Sequence, residues 1–416
     1  MDFCAIDFGT SNSALAILRG GALALTELEP GFSTMPTAVF YSADEATRYY
    51  GRAAVAAYVD GIDGRLMRSL KSILGSDLME ETTEIAAGRT VRYLDVVVGY
   101  LRRLRDVAQV QFGVPLRRAV LGRPVYFVDD DPVRDRRAQD TLAQAARSAG
   151  FETIEFEYEP IAAARDFESR VSTETLVLVA DIGGGTSDFS LVRVGPRRRE
   201  AADRRADILA NHGVHIAGTD FDRAVNLAAI MPLAGYRSKT PEGREVPSSV
   251  YFDLATWHLI NTTYSHARVI ELRRMRTMYA DGRAHARLLG ILRHRLGHQL
   301  AARAEQAKIE VAETGHARID LGSVESRLTV AFDASRQHAA LADNIEHIVD
   351  AARATLRLAQ VAAEQVQAVY FTGGSTGLAL LAERIAAGFP NAQAIHGDRF
   401  TSVVSGLALA AQRRFA

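Results

Sequence analysis

Cysteine is almost absent from this chain. Cys4 is the only one in 416 residues, so no intrachain disulfide can form, and its place in an apolar stretch makes it a buried, inert thiol in a reducing compartment. No apolar run reaches the roughly 18 residues that a membrane helix needs, and no basic segment leads into an apolar one at the N-terminus. The sequence therefore predicts a chain that is neither secreted nor membrane-spanning, with a cytoplasmic location. An excess of one charge is also lacking. The 49 Lys and Arg against 50 Asp and Glu leave a net charge of −1, which gives no bulk attraction for nucleic acid or for an anionic membrane. Any protein partner has to be recognised locally. What remains is an ordinary globular composition, 48% hydrophobic and 24% charged, over a length that predicts two or more domains.

Against this background two turns stand out. Asp7-Phe8-Gly9-Thr10-Ser11-Asn12-Ser13 returns in altered form as Asp181-Ile182-Gly183-Gly184-Gly185-Thr186-Ser187-Asp188. Each follows an apolar run and precedes an alternating one, so each reads as a strand–turn–strand hairpin rather than the strand–turn–helix of a Walker loop. Glycines let a backbone approach phosphate oxygens, hydroxyl and turn N–H groups donate to them, and a leading Asp can hold a hydrated Mg²⁺. One such hairpin would carry little information, since hairpins occur in any β protein. Two of them imply two lobes closing on one nucleotide.

The rest of the chain reads as alternating strands and helices. Residues 1 to about 45 are β-rich, Ala46 to Leu74 follow a helical pattern, and Leu94 to Phe112 form an amphipathic helix with Arg102, Arg103 and Arg105 on its solvated face. A strand at Ala119 to Val125, a helix from Asp130 to Ala149 closed by Gly150, a strand at Ile154 to Phe156 and a helix opening at Glu159-Pro160 complete the first half. Beyond the second hairpin, Arg197-Arg198-Arg199 read as a solvated turn, a strand runs near Ala206 to Asn211, and Gly218-Thr219-Asp220-Phe221-Asp222 open a helix. Residues from about 230 to 295, with Trp257 and with Arg273, Arg274 and Arg276 as a candidate partner surface, predict a largely helical insert. Leu300 to Ala312 is helical, Ser326 to Asp333 extended, and Ala340 to Val361 one long helix. Val369 to Gly377 is then a strand running through Gly373, Gly374 and Ser375 into a helix whose N–H groups can meet an anion.

Taken together these motifs resemble the actin, sugar-kinase and heat-shock ATPase superfamily. The similarity is greatest to the nucleotide-binding domain of DnaK-type heat-shock chaperones, and within them to the short YegD-type branch. Besides the two hairpins, it is carried in order by Ser69-Leu70-Lys71-Ser72-Ile73-Leu74-Gly75, Arg123-Pro124-Val125-Tyr126-Phe127, Tyr158-Glu159-Pro160-Ile161-Ala162-Ala163-Ala164, Gly218 to Asp222, Ala304-Glu305-Gln306-Ala307-Lys308 and Thr372-Gly373-Gly374-Ser375-Thr376. The resemblance implies an α/β, actin-like (ribonuclease H-like) ATPase fold. Lobe I would span residues 1–168 and lobe II residues 169–416, with a C-terminal helix at about 401–414 returning toward lobe I. It implies binding of ATP or ADP with Mg²⁺ and slow hydrolysis that drives lobe closure. Asp7 and Asp181 would flank the hydrated Mg²⁺. Gly9, Thr10, Ser11 and Asn12, with Gly183, Gly184, Gly185 and Thr186, would cradle the phosphates. Lys71 would supply charge to the γ-phosphate, Glu159 and Asp188 would orient water or the metal shell, and Gly218, Glu305, Lys308, Gly373, Gly374 and Ser375 would complete the nucleotide contacts.

The sequence also departs from the family. Ile309 and Gly377 stand where the chaperones place two arginines that sandwich adenine, so selectivity for adenine is expected to be low. Only 416 − 406 = 10 residues follow Gly406 in the terminal helix, which implies a nucleotide-binding domain without the peptide-binding half. A protein partner would then use the insert. His294 and His298 at i, i+4 are a weak half of a metal site, and His212 and His215 read as packed or solvated. The alternatives are a sugar-type kinase of the same fold, a bacterial actin-like filament protein and a scaffold that binds nucleotide without hydrolysing it.

Overall fold

The computed structural model describes residues 2–44, 47–86, 88–201 and 203–415. They divide into two compact units, the first comprising Met1–Val214, Ala351–Thr376 and Ala386–Ala416, the second His215–Asp350 and Gly377–Ile385.

The first unit opens with β1 (Phe3–Phe8), β2 (Asn12–Arg19), β3 (Ala22–Leu25) and β4 (Thr34–Pro36). Next come β5 (Ala38–Ser42), β6 (Arg48–Tyr50), α1 (Gly51–Val59), β7 (Gly64–Arg68), β8 (Thr82–Ala86) and β9 (Arg89–Arg92). The helical pattern expected from Ala46 to Leu74 is thus only partly realised, and Ala46 lies outside the described residues. Gly51, Gly61 and Gly64 take positive φ values of 60°, 77° and 157°, which end any continuous helix, and β7 pairs with β5 instead. Lys71 consequently sits on a single 3₁₀ turn, Leu70–Ile73, not on an α-helix.

Then follow α2 (Tyr93–Phe112), β10 (Arg118–Arg123), α3 (Pro132–Ala149), β11 (Thr153–Tyr158), α4 (Glu159–Arg170), β12 (Thr175–Ile182), β13 (Ser187–Val194) and β14 (Ile208–Val214). The α3 helix has both ends its sequence calls for. Asp131 accepts a hydrogen bond from the Arg134 N–H at 3.0 Å, Pro132 holds the first helical position, and Gly150 closes the end at φ 107°.

The first large sheet runs β11-β10-β1-β2-β3, with β1 parallel to β10, β10 parallel to β11, and β2 antiparallel to both β1 and β3. The second runs β18-β17-β12-β13-β14, where β17 (Ala368–Thr372) and β18 (Gln393–His396) belong to the C-terminal part of the chain. Its strand senses repeat those of the first sheet: β18, β17 and β12 are parallel, β13 is antiparallel to β12, and β14 is antiparallel to β13.

Alternation along the strands divides the core. Cys4, Ile6 and Phe8 of β1 join Leu15, Ile17 and residues of α2 and α3 on one face. Phe3 and Ala5 turn the other way, into a core shared with α4, Val177 and Val179 of β12, and α12 (Ser402–Phe415). That second core is rich in alanine, which brings the backbones close. A Cβ on Gly406 of α12 would lie 1.9 Å from the Ala162 carbonyl oxygen of α4.

The second unit is mainly helical. It contains α5 (Gly218–Val225), α6 (Ser249–Ala255), α7 (His266–Arg274), α8 (Gly282–Arg293), α9 (Gly297–Thr314), the hairpin β15 (His316–Asp320) and β16 (Thr329–Asp333), and the first part of α10 (Ala334–Ala359). Residues 230–295 are largely helical, as expected, apart from 235–248, which hold no helix; Arg273, Arg274 and Arg276 are exposed and Trp257 is half-buried, its ring edge-on to His298 at 4.6 Å between centroids. The two histidines expected on one helix are divided. His294 is the C-cap of α8 and His298 belongs to α9, with Arg295 at φ 51° turning the chain between them.

Candidate functional site

The β1–β2 hairpin places Asp7 opposite Ala14 and Phe8 opposite Ser13, leaving Gly9 to Ser11 as the turn before β2 begins at Asn12. Only glycine fits at position 9, because a Cβ there would lie 2.2 Å from the Asn12 carbonyl oxygen. Thr37 holds this turn. Its hydroxyl donates to the Gly9 carbonyl at 2.8 Å and lies 2.8 Å from the Ser13 hydroxyl, while its N–H donates to the Ser11 carbonyl at 2.9 Å. Behind it the buried Tyr100 hydroxyl lies within reach of the carbonyls of Met35, at 3.1 Å, and Pro36, at 3.0 Å. Sequence patterning did not single out Thr37 or Tyr100. A polar residue between Pro36 and the apolar β5 was the one available signal.

The β12–β13 hairpin pairs Asp181 with Asp188 and is closed by the Gly183 N–H donating to the Thr186 carbonyl at 3.0 Å. Its tip meets the first turn. A Cβ on Gly184 would come within 2.5 Å of the Ser11 Oγ, so glycine here is what lets the two turns approach. Above Gly185 the space is open, since a Cβ there would meet no atom within 4 Å. The Gly373–Ser375 turn also joins the site. The Ser375 hydroxyl donates to the Gly183 carbonyl at 2.6 Å, and Gly373, at φ 88°, lies so close that a Cβ would stand 2.6 Å from Asp181 Oδ1. The helix expected to follow this turn starts later than the sequence suggests, because a 3₁₀ turn, Gly374–Gly377, precedes α11 (Ala379–Ala386).

The charges gather beneath these turns. Lys71 Nζ lies 2.6 Å from Glu159 Oε1, both side chains nearly buried. Burial pushes the Asp7 carboxyl up to about 7, with Glu159 repelling its charge and Lys71 pulling the other way. Asp181 is pushed up to about 8 by burial and then by Asp188, Glu159 and Asp7, again against Lys71. Asp188 is raised by burial, less so for the hydrogen bond from the Thr186 hydroxyl. For Lys71, burial disfavours the ammonium, but Glu159, Asp7 and Asp181 outweigh it and hold the proton on. Four carboxyl groups thus face one ammonium.

This donor set fits a magnesium ion. All the candidate ligand atoms are hard oxygens. Among the described residues no three His, Cys, Asp or Glu side chains converge as a closed inner-sphere cage. Mg²⁺ keeps several of its waters and is held by one or two carboxylates together with substrate phosphates.

The remaining expected contacts belong to the second unit. Gly218 begins α5, where Asp220 accepts a hydrogen bond from the Ala217 N–H at 3.1 Å. Glu305 is exposed on α9, whereas Lys308 Nζ is engaged by Asp222 of α5 at 2.6 Å. Burial pushes Asp222 up to about 6, with Lys308 opposing and Glu305 adding to the shift. A shallow groove of about 490 Å³ runs along α9, lined by Ala302, Glu305, Gln306, Ile309, Glu310 and Glu313.

A family model described as Hsp70 protein matches residues 3–228, from β1 through both hairpins to the turn after α5. The chain belongs to the Hsp70 family. This Hsp70-family chain is 28% identical over 237 residues to a chaperone protein dnaK of Cyanophora paradoxa, covering 52% of the chain and 36% of that relative. A second chaperone protein dnaK, of Guillardia theta, is 28% identical over 241 residues, covering 52% of the chain and 35% of the relative. The chain therefore spans little more than a third of these relatives' length. Mixed sheets flanked by helices fit the actin-like ATPase fold of the family, which binds ATP or ADP and is chaperone-related. No helix among the described residues is long and apolar enough to cross a membrane.

Proposed function

We propose that this Hsp70-family chain binds Mg–ATP at the two facing hairpin turns and hydrolyses it slowly, as a short YegD-type member of the family. The observation that carries the reading is the approach of Ser11 to Gly184 beside a half-buried cluster of Asp7, Lys71, Glu159, Asp181 and Asp188. The equivalent strand senses of the two large sheets support two duplicated lobes, residues 1–168 and 169–416, with residues from about 230 to 295 as an insert in the second.

Turn N–H groups and the hydroxyls of Thr10, Ser11 and Thr186 cradle the phosphates, and glycine at 183, 184 and 185 leaves room for them. Lys71, held by Glu159, brings an ammonium to the charge that develops on the transferred phosphoryl group, where hydrolysis needs positioning and neutralisation more than covalent chemistry. Glu159 and Asp188 orient the attacking water. Bound Mg²⁺ would offset the repulsion among the carboxylates and neutralise phosphate charge. A protein partner docks on the insert through the exposed Arg273, Arg274 and Arg276, and by linkage its affinity depends on the nucleotide bound.

Lys71 and the Glu-Pro-x-Ala-Ala-Ala stretch favour this reading over a sugar-type kinase. The test is thermal unfolding with and without nucleotide in Mg²⁺. At a hundredfold excess over Kd, ligand binding to the folded state adds about 2.7 kcal/mol, a readable rise in Tm. No shift with millimolar ATP or ADP overturns the reading.

A further inference from the structure

Phe400 is a large ring left 50% exposed in the first unit. Its edge rests on Gly374, where a Cβ would come within 2.9 Å of the ring Cε1. The backbone on either side is fixed. The Arg399 carbonyl accepts from the Gly373 N–H at 3.1 Å, and the Asp398 carboxylate accepts from the N–H groups of Phe400 at 3.0 Å and Thr401 at 2.8 Å. The ring is thus attached to the same Gly373–Ser375 turn that abuts the Asp181 carboxylate and donates to Gly183.

We propose that the exposed face of Phe400 is the platform on which the nucleobase stacks. The inference rests on the nucleotide reading above and extends it to the base. A rigid aromatic surface held beside a phosphate-binding turn gives a nucleotide a second point of attachment, and stacking on an aromatic ring is tolerant of base identity because every base has a π-face. Phe400 carries no hydrogen-bonding group, so adenine and guanine stack on it alike. It is a binding residue that touches the base and takes no part in the chemistry.

The test compares the full chain with Phe400→Ala by calorimetry, using Mg–ATP, Mg–GTP and inorganic tripolyphosphate with Mg²⁺. Loss of the ring should weaken ATP and GTP by about tenfold, within the range that removal of an aromatic platform costs, and leave tripolyphosphate unchanged. Phe400→Trp should keep ATP affinity, and its fluorescence, measured over the Trp257 background of the parent, should be quenched by ATP but not by tripolyphosphate. Unchanged ATP affinity in Phe400→Ala overturns the inference while leaving the nucleotide site in place. Equal weakening of ATP and tripolyphosphate also overturns it, because the ring would then only support the turn. If the parent binds neither ligand, the nucleotide reading fails and the inference with it.

Discussion

Breaking the Lys71–Glu159 pair should cost both stability and turnover, and the two costs can be separated. The pair is 2.6 Å long with side chains only 10% and 13% exposed, and Asp7 and Asp181 lie near enough to raise the lysine's proton affinity. Removing one partner of a buried pair costs about 3–5 kcal/mol because a charge is left without compensation. The slight exposure and the ability of the carboxyls to take up protons place Lys71→Ala at the lower end, about 3 kcal/mol. Glu159→Gln should cost less, since it also relieves repulsion on Asp7 and Asp181. The double variant should be less unstable than the sum of the singles, with a coupling of about 1 kcal/mol or more. Urea unfolding without Mg²⁺ or nucleotide reads these values, with m unchanged as the control. Lys71→Ala should also lower turnover by about 10² with little change in nucleotide Kd, as expected for a group that acts on transition-state charge. Additivity within about 0.5 kcal/mol would refute the pairing, and undiminished turnover would refute the role.

Three further outcomes follow from single contacts. Gly406→Ala should destabilise the chain by about 1–3 kcal/mol or more, because its Cβ would strike the Ala162 carbonyl at 1.9 Å; an unchanged Tm would contradict the close α4–α12 packing. Gly373→Ala should abolish most of the nucleotide-induced Tm shift, since it forces φ 88° on alanine and places a Cβ 2.4 Å from the Ile182 carbonyl; a full shift would contradict the turn's place in the site. Asp222 has a raised carboxyl, about 6 against 3.8, so the folded state holds its proton more tightly than the unfolded state does. Its contribution is therefore present at low pH and lost as pH rises from about 4 to 6, by at most about 3 kcal/mol, and Asp222→Asn should flatten that slope in urea midpoints taken between pH 4 and 7.

What the sequence made legible was local. Both hairpins, α2, α3 with its Asp131 and Gly150 ends, and the long helix α10 are written in periodicity and turn residues, which act over a few positions. The surroundings of Lys71 were not, because glycines at 51, 61 and 64 override an apolar spacing that looks helical, and the pairing partner of β7 is β5, far back in the chain. Thr37 and Tyr100 support the first turn through contacts between residues 28 and 65 positions apart, which no window of pattern can reveal. Lys308 shows the same limit. The i, i+3 spacing puts it on the Glu305 face of α9, yet Asp222 on α5 is what engages it. His294 and His298 satisfied a spacing rule, and one left-handed residue, Arg295, removed its meaning.

The most direct test of a phosphate site at the two turns is calorimetric titration of Mg–ATP into the parent chain and into Asp181→Asn. Burial and its neighbours push the Asp181 carboxyl up to about 8, and it lies against Gly373 at the meeting point of the turns. The expected result is one molecule of ATP bound per parent chain and affinity reduced at least about tenfold, or 1.4 kcal/mol, in the variant. Absence of binding to the parent, or equal affinity in both, would contradict it.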